Sequence, residues 1–170
     1  LHAEMLSYEE IARVVYAAAG LGISKIRLTG GEPLARLHLP ELVRLIRAVP
    51  GVDDLSMTTN GTLLPRYAEA LRDAGLDRVN VSLDTLRPDR FRRITRLGEL
   101  EDALAGLEAA ERAGLHPVKV NMVVMRGVND DEVVDFARLT LTRAWHVRYI
   151  EVMPVGETPD TALDYVPMQA

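Results

Sequence analysis

The 170-residue chain contains no cysteine. Disulfide bonds are therefore excluded, and no thiolate of this chain can bind a metal ion. The absence agrees with a cytoplasmic location, which we expect, without requiring one. Histidine is sparse, and its four positions follow no metal-ligand spacing, so we interpret them as surface or structural residues: His2, His38, His116 and His146. We predict no metal-binding and no catalytic residue in this chain.

Long apolar runs are missing as well. The longest, around residues 14–23, is too short to span a bilayer and contains two glycines. No secretory signal peptide, Walker-type phosphate loop or Gly-x-Ser-x-Gly elbow is present. The formal net charge of −5 argues against nucleic acid or an anionic membrane as the main partner. We therefore expect neither a nucleic acid nor a membrane as a partner. The content of 48% hydrophobic residues predicts a chain that folds.

Helical and strand-like patterns alternate along the chain. Apolar residues recur at helical spacing in five segments, which start near residues 11, 42, 67, 100 and 133. Five strand-like runs accompany them: Lys25–Thr29, Leu55–Thr59, Arg78–Leu83, Val118–Met125 and Val147–Met153. This order predicts a parallel sheet covered by helices. We expect one α/β domain over residues 1–155 and an irregular tail over 156–170.

The predicted strands alternate between apolar and polar residues. Val79 and Val81, for example, alternate with Asn80 and Ser82. Parallel strands that are buried on both faces should instead be continuously apolar. A barrel, closed or nearly closed, with a polar interior explains the alternation. A doubly wound open sheet is the alternative, but its helices would cover the polar face.

The stretch RLTGGEPLAR leaves its strand through two glycines. Ligands bind at the carboxyl ends of strands in α/β folds, and glycine lets the backbone approach them closely. The carbonyl groups of Gly30 and Gly31, with the carboxylate of Glu32, can form a cradle for a cationic, amino-acid-like group. A strand-to-helix turn in which Pro33 starts the next helix explains the same residues equally well.

Small polar residues also end the other predicted strands. Asn60 precedes a glycine and suits an ordinary turn, whereas Ser82 and Asp84 suit a ligand-binding rim and a cap of the following turn equally well. Met153 is more typical of a core or edge position. It reaches the polar face only if its strand ends or bends near Pro154.

Three cations, Arg27, Lys119 and Arg148, fall on the polar face of three different predicted strands. Converging like charges repel one another unless an anion lies among them. A polyphosphate suits such a cluster, because arginine and lysine bind phosphate oxygens well. The alternative is that Asp84 neutralises one of the three in a structural ion pair.

Five stretches together resemble one family of enzymes: KIRLTGGEPL, MTTNG, RVNVSLDT, VKVNMVVMRGVNDDEV and HVRYIEVMPVG. They are similar, in order and at fitting spacing, to the GTP 3′,8-cyclases. These are radical S-adenosylmethionine (SAM) enzymes that perform the first step of molybdenum cofactor (molybdopterin) biosynthesis. Gly-Gly-Glu-Pro alone indicates only the radical SAM superfamily, whereas the three cations together with VNVSLDT and YIEVMP are more specific.

The resemblance implies an incomplete (β/α)6 TIM-like barrel of the radical SAM type. Five of its strands would lie in this chain, and the first would precede Leu1. The methionine ammonium group of the cofactor would be held by Gly30, Gly31 and Glu32. The rest of the cofactor site would be lined by Asn60, Ser82 and Met153, with Thr58 beside them. GTP would be bound by Arg27, Thr58, Lys119 and Arg148.

The resemblance also implies the reaction. A reduced 4Fe-4S cluster cleaves SAM, and the 5′-deoxyadenosyl radical takes hydrogen from C3′ of GTP before that carbon attacks guanine C8. The product is (8S)-3′,8-cyclo-7,8-dihydroguanosine 5′-triphosphate. The family binds two 4Fe-4S clusters through cysteines near both ends, and this chain has none of them.

We therefore expect a segment of a longer protein, inactive by itself, whose small-molecule partner is GTP and whose assembly is a homodimer. A natural cysteine-free relative is the other explanation of the missing ligands. The sequence leaves two alternative functions open. One is another radical SAM enzyme, acting on a peptide or a cofactor. The other is a non-catalytic domain that binds a nucleotide or SAM and has lost its clusters.

Overall fold

The structure is a computed structural model that describes residues 5–153 and 166–167. The α-helices in this part of the chain are α1 (Tyr8–Gly20), α2 (Leu39–Arg47), α3 (Leu64–Asp73), α4 (Pro88–Thr95), α5 (Leu100–Ala113) and α6 (Val133–Thr142). Short 3₁₀ helices cover Pro33–Ala35 and Asp130–Glu132. The strands are β1 (Lys25–Leu28), β2 (Asp54–Thr59), β3 (Arg78–Ser82), β4 (Val118–Val124) and β5 (Trp145–Glu151).

All five strands are parallel and lie in the order β1-β2-β3-β4-β5. Each strand is therefore hydrogen-bonded to the next along the chain, and the connections between them contain the helices. This confirms the predicted α/β class. The predicted tail, 156–170, lies outside the described residues apart from Val166 and Pro167, and Val166 packs against the core.

Strand limits differ from the prediction by one or two residues. β5 starts and ends two residues earlier than predicted, because Trp145 pairs with Val118 and is buried in the core. β2 starts one residue earlier, at Asp54, which pairs with Lys25. The predicted carboxyl ends of β1, β3 and β4 each extend one residue too far.

Five predicted helices are confirmed, and one helix was missed. At the start of α1, the Ser7 hydroxyl accepts from the Glu10 amide and the Glu10 carboxylate accepts from the Ser7 amide, as a capping box requires. The missed helix is α4, in which only Phe91 is buried. A short helix with one buried residue carries no apolar period for the sequence to reveal.

The two faces of the sheet differ as the sequence predicts. Leu55, Met57, Val79 and Val81 point into a core shared with the helices and are fully buried. On the opposite face the cations Arg27 and Arg148 are exposed, while the polar residues Ser56 and Asn80 lie buried between them. A doubly wound sheet would bury both faces, so that alternative is wrong. None of the described helices has the length and apolar character needed to cross a membrane.

Candidate active site

The polar face of the sheet collects the side chains that alternate with the core residues. Strand pairing aligns Arg27 with Ser56, Thr58 with Asn80, Asn80 with Lys119, and Asn121 with Arg148. Because these partners share one face, the structure brings the three predicted cations onto one face of the sheet. The neighbouring strands supply hydroxyl and amide groups between them.

Two amide side chains orient Arg148. Its Nε donates to Oδ1 of Asn121 at 3.0 Å, and one terminal nitrogen donates to Oδ1 of Asn80 at 3.1 Å. Asn80 is 1% exposed, and its amide nitrogen donates to the Thr58 hydroxyl at 3.4 Å. The buried Asn80 amide thus links Arg148, which is predicted to bind phosphate, to Thr58, which is predicted to contact GTP beside the cofactor.

The other two cations are held more loosely. Arg27 Nε donates to the Ser56 hydroxyl at 3.4 Å. Lys119 has a lowered pKa because burial disfavours its charged form and because Arg148 and two further arginines repel it. Among the described residues, no carboxylate forms an ion pair with any of the three.

Asp84 does not neutralise this cluster. Its carboxylate accepts a hydrogen bond from the Val123 amide at 2.8 Å, between the carboxyl ends of β3 and β4. Burial raises the pKa of Asp84, and no cation pairs with it among the described residues. The ion-pair alternative that the sequence left open is therefore wrong for this carboxylate.

An Asp54–Arg78 ion pair lies near the amino ends of β2 and β3, and sequence reasoning missed it. Arg78 donates to both oxygens of Asp54, and the two side chains are 20% and 18% exposed. Each residue lies an even number of positions from the polar-face residues of its own strand, Ser56 in β2 and Asn80 in β3. This spacing was the signal available in the sequence. The predicted start of β2 at Leu55 hid it for Asp54.

The glycine loop after β1 is joined to the turn after β2. One oxygen of Glu32 accepts from the Thr59 hydroxyl at 2.7 Å and from the Leu34 amide at 3.0 Å. The other accepts from the Asn60 amide at 2.8 Å. The Glu32 carboxylate therefore organises the loop, while the exposed Gly30–Gly31 backbone remains open to a ligand.

The Asn60–Gly61 turn packs directly against helix α5. Oδ1 of Asn60 accepts from the amide and hydroxyl of Thr62, which agrees with the turn interpretation of this residue. A Cβ atom at Gly106 would lie 2.0 Å from the carbonyl oxygen of Gly61. Only glycine at position 106 lets α5 approach the turn this closely.

Two other predicted cofactor residues lie at the same rim of the sheet. Ser82 is the exposed last residue of β3, and Met153 is 73% exposed two residues beyond β5. No hydrogen bond connects either side chain to another described residue. The predicted cofactor residues thus share one edge of the sheet, where Glu32 and Asn60 are hydrogen-bonded to each other but Ser82 and Met153 are not part of that network.

Buried hydrogen bonds that sequence reasoning missed join the loops after β3 and β4. Nδ2 of Asn129, a fully buried residue, donates to the carbonyl oxygens of Asp84 at 2.7 Å and Val123 at 2.9 Å. Glu132, 1% exposed, accepts from the Thr85 hydroxyl at 2.7 Å. These bonds fix the rim that carries Ser82. Their only signal in the sequence was the polar stretch NDDE after β4.

The described residues contain no group of histidine, aspartate and glutamate side chains that could hold a metal ion.

The family model described as "Radical SAM superfamily" matches residues 2–140. The chain belongs to the radical SAM superfamily. Curated relatives within this superfamily include a GTP 3′,8-cyclase of Heliobacterium modesticaldum, 57% identical over 92% of this chain and 48% of the relative. A GTP 3′,8-cyclase of Pelotomaculum thermopropionicum is 58% identical over 98% of this chain and 51% of the relative. The chain spans about half the length of the curated relatives it matches.

Solved structures share the fold at much lower identity. A methylornithine synthase is 19% identical, with a TM-score of 0.70 over 94% of this chain and 48% of that protein. A radical SAM methyltransferase from Sphaerobacter thermophilus is 20% identical, with a TM-score of 0.69 over 91% of this chain and 50% of that protein. These likenesses support the predicted partial barrel. A strand before Leu1 stays a prediction.

Proposed function

We propose that this chain is the part of a GTP 3′,8-cyclase that binds SAM and the triphosphate of GTP. The observation that carries the proposal is the convergence of Arg27, Lys119 and Arg148 on one polar face without a carboxylate partner among the described residues. Burial and, after it, the charges of the neighbouring arginines lower the pKa of Lys119, and an anion on this face would relieve the repulsion from those charges. The relatives named GTP 3′,8-cyclase support the same assignment.

Each cation has a distinct task in this proposal. The guanidinium groups of Arg27 and Arg148 would offer paired N–H donors to phosphate oxygens, and Lys119 would add a compact point charge between them. Asn80 and Asn121 hold Arg148 in a fixed direction, so little side-chain freedom would be lost on binding. The hydroxyl of Thr58 lies next to this network through Asn80.

The glycine loop fits SAM. A Cβ atom at Gly31 would meet nothing within 4 Å, so the space beside the backbone there is free for a ligand. The bare carbonyl groups of Gly30 and Gly31 would accept from the ammonium group, and Ser82, Asn60 and Met153 would line the remaining rim. SAM supplies the radical chemistry when it is bound. The residues of this chain would hold it against the substrate and exclude water.

An iron–sulfur cluster does not fit the residues of this chain. The sequence has no cysteine, and cysteine thiolates are the usual ligands of a 4Fe-4S cluster. Two clusters of the complete enzyme would take their ligands from outside these 170 residues. A homodimer, a cytoplasmic location and the absence of a nucleic-acid partner stay predictions.

The test uses the complete protein, purified and reconstituted with iron and sulfide without oxygen. GTP should be converted to (8S)-3′,8-cyclo-7,8-dihydroguanosine 5′-triphosphate. Arg27→Ala, Lys119→Ala and Arg148→Ala should each weaken GTP binding about 10- to 150-fold, because a charge-assisted contact contributes about 1.5–3 kcal/mol. Guanosine, which has no phosphate, should bind all variants equally. Arg44→Ala is the control, because it removes an exposed arginine from α2 on the covered side of the sheet.

Equal loss of affinity for GTP and guanosine would show that the three cations support the fold rather than the triphosphate. Turnover of a peptide instead of GTP would assign the chain to another radical SAM activity. A protein that binds SAM and GTP but accumulates no product or 5′-deoxyadenosine would be a non-catalytic binding domain.

A further inference from the structure

The Asp54–Arg78 pair lies beneath the three cations, at the first residues of β2 and β3. Arg78 is aligned across Ser56 with Arg27, and it lies two residues before Asn80, the strand partner of Lys119. Lys25, Arg27 and Ser56 line the same depression as the pair, a cavity of 280 Å³. The pair therefore lies on the polar face at the amino-terminal ends of β2 and β3.

Charge on this face is strongly unbalanced. Along the five strands, the cations that face it are Lys25, Arg27, Arg78, Lys119 and Arg148. Asp54 is the carboxylate among them. Its pKa is lowered by hydrogen bonds from Arg78 and by the charges of Lys25 and Arg27 as well. Burial lowers the pKa of Lys119 most, and both members of the pair also act on it: Arg78 lowers this pKa and Asp54 raises it.

We propose that Asp54 is the counter-ion of the triphosphate site when no nucleotide is bound. We propose also that Arg78 can bind phosphate but is occupied by its ion pair with Asp54. The inference rests on the proposed function. Asp54 limits repulsion among the cations when no nucleotide is bound, and it opposes the phosphates when they arrive. Because the Asp54 carboxylate is paired with Arg78, it does not form an ion pair with Arg27.

This arrangement predicts effects of opposite sign at two residues in contact. Asp54→Asn removes the competing anion and frees the Arg78 guanidinium, so triphosphate binding should tighten about fivefold, the effect expected of one partly exposed charge pair. Arg78→Gln leaves Asp54 without its partner, free to pair with Arg27, so triphosphate binding should weaken about fivefold. The double variant should return to within about twofold of the original affinity, because the two charges leave together.

The experiment measures inorganic tripolyphosphate and GTP binding to the complete protein by calorimetry. Arg78→Lys keeps the charge and should retain near-normal affinity, which separates loss of charge from loss of folding. Asp77→Asn is the matched control: Asp77 also accepts from an arginine, Arg47, but this pair lies off the polar face. It should lower the melting temperature without changing tripolyphosphate affinity.

Unchanged or weaker tripolyphosphate binding in Asp54→Asn, with the fold intact by circular dichroism, would overturn the counter-ion role. Product formation from GTP together with equal affinities in all variants would reject this inference and leave the proposed function standing. Opposite shifts in tripolyphosphate affinity without turnover of GTP would reject the proposed function and support the inference.

Discussion

The carboxylate of Glu32 accepts a hydrogen bond from the backbone amide of Asn60 at 2.8 Å. This contact joins the glycine loop after β1 to the turn after β2, and the Thr59 hydroxyl reinforces it. The two segments that are predicted to hold SAM therefore depend on one side chain. In the structure, Glu32 serves as an organiser of the backbone cradle.

Glu32→Gln should lower the free energy of unfolding by about 1–3 kcal/mol. The substitution replaces one carboxylate oxygen by an NH₂ group, which would face an N–H or O–H donor instead of accepting from it. SAM affinity should fall with it, since the loop loses its fixed position. Thermal unfolding and calorimetric titration of SAM into the complete protein measure both effects. Glu41→Gln, an exposed carboxylate change on α2, is the control. Lost SAM affinity at full stability would instead place the Glu32 carboxylate in direct contact with the cofactor.

Gly31→Ala should weaken SAM binding without unfolding the protein. The added methyl group meets no protein atom within 4 Å, so the free energy of unfolding should stay within about 0.5 kcal/mol of its original value. The methyl group would occupy the space that the cofactor needs. Gly30→Ala provides the contrast, because Gly30 has φ = 155° and an alanine there should cost about 1 kcal/mol of stability. Unchanged SAM affinity in Gly31→Ala would show that Gly31 serves only the turn.

Lys119→Met should raise the stability of the nucleotide-free protein at neutral pH. Burial and the neighbouring arginines lower the pKa of Lys119, so its protonated form destabilises the fold. That penalty is fully present below the lowered pKa and disappears as pH rises toward the unfolded value of about 10.4. The stabilisation by Lys119→Met should therefore shrink with rising pH in denaturation experiments. A stabilisation by Lys119→Met that stays constant as pH rises would contradict this explanation.

Gly106→Ala should destabilise the protein by about 1–3 kcal/mol, because the new methyl group would overlap the Gly61 carbonyl oxygen and force α5 outward. SAM affinity should fall as well, since the Asn60–Gly61 turn must move. Gly20→Ala is the matched helical control: its Cβ atom meets nothing within 4 Å, and alanine favours the helix. Equal melting temperatures for the two variants would contradict the close approach of α5.

The alternation of side chains along the strands determined most of the fold. Arg27, Lys119 and Arg148 could be placed on one polar face from the sequence, because neighbouring residues of a strand point to opposite sides. Helix α4 could not be predicted, because its single buried residue leaves no period. The start of β5 was placed two residues too late, because only the pairing of Trp145 with Val118 shows that the strand begins there.

The partners of these side chains depended on the tertiary structure. The sequence offered Asp84 as an anion for the cations, but Asp84 binds the Val123 amide while Asp54 pairs with Arg78. Asp54 and Arg78 are 24 residues apart, and strand register brings them together. The period of a strand is local and can be read along the chain. Register, and the choice among competing charges, arises only when separate strands pack side by side.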